Sequence, residues 1–547
     1  DVDHDLYDNK MISEDGDDTY LITKANKEGT DWQDVADRDA KLQEYNLNIT
    51  GGGDKTTYAF SGSYMKEQGI MKYTDFERYA LRSNVSSNLT DWLEIGEKIG
   101  LSFTEDAGMQ VDNDEASPVS WTYRMQPIIP IYDVMGNYAG TRVPATGNGR
   151  NILARLDNNQ YDRYRDLRSI GNFYATLTPI EGLSFKSLFG FDYRVSDGRD
   201  IFFYNPQFSE RQSSDAVNRS NNYTLQWNWA NTLEYSKKFG AHDINVLLGT
   251  EAVYNDYRWF GAGRTSYFSR STDYLFLDGG SANQTNYGSG NEWRTFSTFG
   301  RVNYQLANKY LLEATFRRDG SSRFGENERY GTFPAFSVGW RVSEEGFMDF
   351  SENWLNYLKL RVGWGQSGND EVGNYNGFTS VGSDVAFSYY PITGINAGTP
   401  TPGFQSTAYG NPNARWETTT TTNIGLDATI LDFLNLTVDV WQRNTSDMLY
   451  PKAIPDVEGQ ASTPSVNIGE MENKGIDVNL NFRGSAMNKD FTYDISLNVS
   501  HYQNEIVKLS GKEDEVIWGS GFRQKTYTRA EVGTSFPEFY GYQVEGI

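Results

Sequence analysis

Residues 422–444, TNIGLDATILDFLNLTVDVWQRN, alternate apolar and polar side chains, break once, and alternate again. Ile424, Leu426, Ala428 and Ile430 share one face against Asn423, Gly425, Asp427 and Thr429. Beyond Asp432 and Phe433, Leu434, Leu436, Val438 and Val440 oppose Asn435, Thr437, Asp439 and Arg443. A period of two sends successive side chains to opposite faces of a sheet, so this stretch reads as two strands and a tight turn. The pattern recurs over 56–64, 76–89, 93–104, 169–178, 183–194, 222–236 and 243–254. It continues over 293–305, 309–318, 331–342, 357–366, 473–482 and 491–502. No segment of comparable length carries a helical period. About fifteen strands of about ten to fourteen residues are long for a globular protein, where five or six residues is usual. They are long enough for tilted strands that cross a hydrocarbon layer, which need about nine to eleven residues.

Alternation alone also fits a soluble sandwich, whose apolar faces meet protein instead of lipid. The connections separate the two. Tight links at 179–182, 237–242, 306–308, 432–433 and 483–490 alternate with long ones at 105–168, 195–221, 255–292, 367–415 and 448–472. In an up-and-down barrel every second connection lies on the same side. Short periplasmic turns opposite long extracellular loops are the outer-membrane arrangement, and a sandwich has no reason to sort its loops this way. The expected fold is an all-β, transmembrane, antiparallel up-and-down β-barrel with lipid outside and a polar lumen.

Composition excludes several other classes. There is no cysteine among the 547 residues, which rules out disulfides and thiolate chemistry. Lys and Arg number 49 against 73 Asp and Glu, a formal charge of -24, which repels phosphate backbones and disfavours nucleic acid as a partner. Aromatic residues make up 15%, with 36 Tyr. Membrane-interface girdles would use so many, and so would a surface that stacks on sugars. No apolar run approaches the roughly 20 residues of a membrane-spanning helix. The opening DVDHDLYDNK has neither the basic start nor the apolar stretch of a signal peptide.

Six segments, in order, resemble SusC/RagA-like TonB-dependent transporters of Bacteroidetes outer membranes. They are residues 30–85 (TDWQDVADRDAKLQEYNLNITGGGDKTTYAFSGSYMKEQGIMKYTDFERYALRSNV) and 309–348 (KYLLEATFRRDGSSRFGENERYGTFPAFSVGWRVSEEGFM). LKLRVGWGQSGNDEVGNY, NPNARWETTTTTNIGLD, NIGEMENKGIDVNL and VGTSFPEFYGYQVEGI follow. The resemblance implies a 22-stranded barrel around an amino-terminal plug, of which this chain would hold about 15–16 strands. It also implies coupling to TonB, a SusD-like surface lipoprotein over the mouth, and oligosaccharide substrates, or peptides in one branch. Neither a plug, a TonB box nor a final strand ending in an aromatic residue is legible. The expected layout is therefore an acidic polar segment linking the plug to the barrel at 1–50, with an incomplete barrel at 51–547. Import of a nutrient across a Gram-negative outer membrane is the expected activity, with no enzyme chemistry and no cofactor. A passive porin and a secreted glycan-binding adhesin are the alternatives.

Motif-like stretches carry less. Gly363-Trp-Gly365-Gln-Ser-Gly368 matches the dinucleotide pattern but ends a strand where that mechanism needs a helix start. GGGDKT (51–56) lacks P-loop spacing and reads as a turn. DVDHD with Asp8 lacks the glycine and terminal Glu of a calcium loop, and a solvated acidic linker is the plainer reading. His4, His242 and His501 accompany no nucleophile signature. The loop aromatics Phe202, Phe203, Tyr204, Trp259 and Phe260 are the candidate ligand-binding residues. Stacking on sugars, clasping the lid protein and packing loop on loop all fit them.

Overall fold

The computed structural model describes residues 5–6, 11–12, 18–19, 23–107, 109, 117–133, 135–141, 147–205, 213–390, 400–452, 461–486, 490–510, 515–519, 521–522 and 525–546. Sixteen strands form one antiparallel sheet whose order follows the chain without a crossover. They are β1 (Leu42–Gly52), β2 (Thr56–Gln68), β3 (Asp75–Thr90) and β4 (Leu93–Asp106). Next come β5 (Arg163–Ile180), β6 (Leu183–Phe202), β7 (Ala216–Phe239) and β8 (His242–Tyr267). β9 (Gly280–Leu306), β10 (Tyr310–Ser321), β11 (Tyr330–Arg341) and β12 (Leu355–Asn369) continue the order. β13 (Glu417–Ile430), β14 (Leu434–Ser446), β15 (Glu470–Ala486) and β16 (Phe491–Lys508) complete it. The segment read from sequence as an acidic linker, 1–50, contains most of β1; the DVDHD stretch lies largely outside the described residues.

Tight and long connections alternate over much of the chain, with 342–354, between β11 and β12, as an exception on the tight-turn side. Residues 53–55, 91–92, 181–182, 240–241, 307–309 and 431–433 close hairpins, whereas 107–162, 370–416 and 447–469 are long. Several hairpin residues adopt the left-handed backbone that primed turns require: Gly182, Gly240, the pair Ala307 and Asn308, and the pair Leu431 and Asp432. Gly182 has no alternative, since a Cβ there would collide with the Ser236 carbonyl. Two of the expected long loops, 195–221 and 255–292, are instead mostly strand: β8 runs for 26 residues and β9 for 27. The first half of β9, GSANQTNYGSGN, lacks apolar alternation. A backbone ladder does not depend on side-chain polarity, so a polar, glycine-rich stretch pairs without the pattern that betrays the others.

The chain divides into two compact units: Asp1–Ala175, Leu188–Trp227 and Asn255–Glu292; and Thr176–Ser187, Asn228–Tyr254 and Trp293–Ile547. In the second unit, register aligns Tyr304, Leu312, Val338, Val362, Ile424, Val440 and Ile476 in one row across seven strands. From Leu312 to Ile476 these residues are 40–60% exposed, so no protein layer covers them. So broad an apolar face is unfavourable in water, by about 25 cal/mol per Å² left uncovered. Lipid is the solvent that suits it. At the tight-turn rim Tyr310 Oη and Trp340 Nε1 both donate to Glu345 Oε1, at 2.6 and 3.2 Å. Lys309 Nζ reaches Oε2 at 3.2 Å. These donors, the Tyr310 hydroxyl foremost, hold the Glu345 carboxyl below its usual range. Amphipathic rings tied to a carboxylate are what a membrane interface accommodates.

In the first unit, Tyr45, Tyr64, Tyr79 and Phe103 align across β1 to β4. The Tyr64 and Tyr79 rings lie 5.0 Å apart, and both hydroxyls donate to Glu77 Oε1. One packed core lies off the sheet. Helices α1 (Trp32–Ala36), α2 (Pro118–Arg124) and α3 (Ile152–Asn159) bury Trp32, Ala36, Trp121, Ile152 and Leu156 together with Met71, Met125, Ile129 and Ala139. Asp31 caps α1, and Asn151 caps α3 by accepting from the Leu153 and Ala154 amides. Asn151 also donates to the Ile131 and Ala139 carbonyls, which ties the long connection to the helix start.

Candidate functional site

Where β6 ends, the chain meets α3 and the connection that follows β8. Asp162, fully buried, is the joint: its carboxylate accepts the Ile201 amide at 2.8 Å and pairs with Arg155 at 3.3 Å. Burial pushes its pKa up to about 6, against the pull of the Ile201 amide and Arg155. Arg199 donates twice to the Tyr161 carbonyl, and the Tyr161 ring meets Phe203 edge-on at 5.5 Å. Ile201, Val217, Tyr267 and Leu275 pack beneath.

On this base sits a cleft of about 150 Å³, lined by Trp121, Tyr138, Arg150, Arg155, Phe202, Phe203, Tyr204 and Arg270, among others. Three guanidinium groups lie over aromatic rings: Arg150 over Trp121 at 5.6 Å, Arg155 over Phe202 at 5.7 Å and Arg270 over Phe203 at 5.3 Å. Each is a cation–π contact of order 0.5–2 kcal/mol. Arg270 is anchored at its other edge by Asp215 at 3.2 Å and donates to the Tyr204 carbonyl at 3.0 Å. The Tyr204 amide donates to Asp215 as well, at 2.6 Å. Burial, and then the Asp157 carboxylate, push the Tyr138 hydroxyl up.

Phe202, Phe203 and Tyr204 all line this cleft. Trp259 and Phe260 do not join them. They lie on β8, where Trp259 packs on Tyr287 at 5.5 Å and Phe260 is exposed. The arginines that complete the cleft have no signature in the sequence, because they come from two separate connections, Arg150 and Arg155 from 107–162 and Arg270 from the one after β8. The dinucleotide-like glycines all lie within β12, and the residues between Gly52 and Thr56 form the β1–β2 turn.

A second polar constellation lies on the face of the second unit opposite the apolar row. Arg361, Gly425 and Asp439 stand in register on β12, β13 and β14. With no side chain at 425, Arg361 lies flat and grips Asp427 at 2.8 and 3.0 Å and Asp439 at 3.0 Å twice. A Cβ at Gly425 would stand 2.6 Å from both Arg361 Cζ and Asp439 Oδ1. The same face holds a recess of about 580 Å³ lined by Asn303, Glu313, Ser337, Lys359 and Asn423 around Gly339 and Gly363. Charge at mid-strand on one face and bare apolar side chains on the other describe the wall of a membrane barrel. Among the described residues there is no group of three or more metal-ligating side chains.

A sheet of sixteen consecutive antiparallel strands with an uncovered apolar face defines an outer-membrane β-barrel. Residues 113–546 match the family model described as TonB dependent receptor-like, beta-barrel, and the chain belongs to that family. The family is one of outer-membrane barrels of Gram-negative bacteria. The chain is 31% identical over 532 residues to TonB-dependent receptor P3 of Formosa agariphila, covering 95% of this chain and 51% of that protein. It is 29% identical over 561 residues to TonB-dependent receptor SusC of Bacteroides thetaiotaomicron, covering 94% and 52%. The chain thus spans about half the length of the curated relatives it matches. The RagAB peptide transporter has the same fold, with a TM-score of 0.80 at 24% identity over 93% of this chain and 55% of that one.

Proposed function

We propose that this chain supplies the wall and long connections of an importer that takes up oligosaccharides across the outer membrane. Energy reaches it through TonB, and a SusD-like surface lipoprotein covers its mouth. The observation that carries this reading is the likeness to SusC-type receptors over nearly the whole chain. The aromatic and arginine-lined cleft among the long connections supports a saccharide, since rings and planar hydrogen-bonding groups suit sugar faces and hydroxyls. The work is transport: binding, sequestration and release of an unchanged molecule. Peptide import is the second reading, favoured by the fold shared with the RagAB peptide transporter.

Deleting the whole receptor gene in its host tests these readings together. Growth on an oligosaccharide mixture as sole carbon source is lost, and returns with the whole gene but not in a strain lacking TonB. Loss of growth on peptides alone replaces the saccharide reading with the peptide one. Uptake that persists without TonB marks a passive pore and refutes active import.

A further inference from the structure

We propose that the cleft between α3, the end of β6 and the connection after β8 recognises the acidic group of a charged oligosaccharide, a uronate carboxylate or a sulfate ester. This deepens the proposed saccharide uptake and rests on it. Guanidinium groups, which only donate, dominate the charged lining: Arg150, Arg155 and Arg270. The cleft's own carboxylate, Asp157, already accepts from Gln160 at 2.7 Å and from the Tyr138 hydroxyl. A neutral sugar offers donors and acceptors in equal measure, whereas a carboxylate or sulfate offers acceptors alone. A donor-rich cleft is notable in a chain whose formal charge is -24.

The aromatic residues divide the labour. Phe202 and Phe203 carry guanidinium groups on their faces, which fixes the planes of Arg155 and Arg270. They are positioning residues. Asp162 and Asp215 hold the far edges of the same two arginines. A fork held by a ring and a carboxylate is oriented before the ligand arrives and loses little freedom on binding. Tyr204, exposed at the lip, supplies the ring platform for the sugar. A space of about 150 Å³ holds one sugar ring and its charged substituent, not a chain. Trp259 and Phe260 take no part.

The test is calorimetric titration of the whole detergent-solubilised receptor with tetragalacturonate, a sulfated tetrasaccharide, maltotetraose and tetra-aspartate. An acidic tetrasaccharide binds, weakens as salt rises, and loses about tenfold or more in affinity on Arg270→Gln, the worth of one charge-assisted hydrogen bond. Arg270 is half exposed, so the variant folds. Arg155→Lys retains the charge beside Asp162 but removes the fork, and it weakens acidic ligands while sparing maltotetraose. Trp259→Ala binds like the parent. Preference for maltotetraose overturns the acidic-group proposal while leaving saccharide uptake intact. Tetra-aspartate binding in place of any sugar overturns both. Acidic binding unchanged by Arg270→Gln and Arg155→Lys overturns the assignment to this cleft.

Discussion

Ile424→Arg and its neighbour Asn423→Arg separate a lipid-covered sheet from one that faces water on both sides. Ile424 is mid-strand in β13, flanked by Val362 and Val440 in the seven-strand row, and is 60% exposed. Judged by exposure alone, an arginine there is a surface change worth no more than about 0.5 kcal/mol. With lipid against this face, the guanidinium enters hydrocarbon near the middle of the strand. The cost is then about 2–4 kcal/mol, or roughly thirtyfold to a thousandfold in the folding constant. Asn423, one residue away, points to the opposite face, where Gly363 leaves room beside it. Its arginine stays among polar groups and changes stability by less than about 1 kcal/mol. The whole receptor is refolded into phosphatidylcholine bilayers and titrated with guanidinium, with unfolding followed by tryptophan emission. A midpoint shift for Ile424→Arg that matches that of Asn423→Arg refutes lipid contact on this face.

Gly182→Ala puts a Cβ against the Ser236 carbonyl at a positive φ, at a cost of about 1–3 kcal/mol. The temperature of the heat-dependent gel shift falls for this variant, whereas Gly53→Ala, whose site is open, leaves it unchanged. Equal behaviour of the two would remove the steric argument. Asp162 gives the joint between α3 and the end of β6 a pH dependence. Its folded pKa of about 6 stands above the ordinary 3.8, so the folded chain holds the proton more tightly than the unfolded one. The stabilising contribution is complete below pH 3.8 and lost as pH rises through 6, up to about 3 kcal/mol. Amides around Ile201 therefore exchange more slowly at pH 5 than at pH 7.5 after correction for intrinsic rates. Asp162→Asn abolishes the difference; persistence of the full effect in that variant would assign it to another group.

The hairpin at 422–444 was legible almost to the residue, because each face meets a different medium and the side chains record it. Ile424 pairs with Val440 and Leu426 with Val438, as the alternation requires, and only the turn widens to include Leu431. The extensions of β8 and β9 were not legible, since serine, asparagine and glycine pair through their backbones without marking a face. β1 left a signal that was passed over: Tyr45, Leu47 and Ile49 alternate within the segment read as a linker. Phe202, Phe203 and Tyr204 stood out as a run of large rings in an expected long connection. Their arginine partners did not, because Arg150, Arg155 and Arg270 meet only after the chain has folded. Asp162 looked like any other carboxylate; its burial is a property of the packing around it.

Strict succession of the strands has a consequence for how such a wall can change in size. Because each strand binds only its neighbours in the chain, two adjacent strands can be gained or lost together, and every later strand keeps its direction. Losing a single strand would invert all that follow, moving the compact bends outward and the long connections inward. Circumference is therefore free to vary in steps of two while the polarity of the whole is preserved.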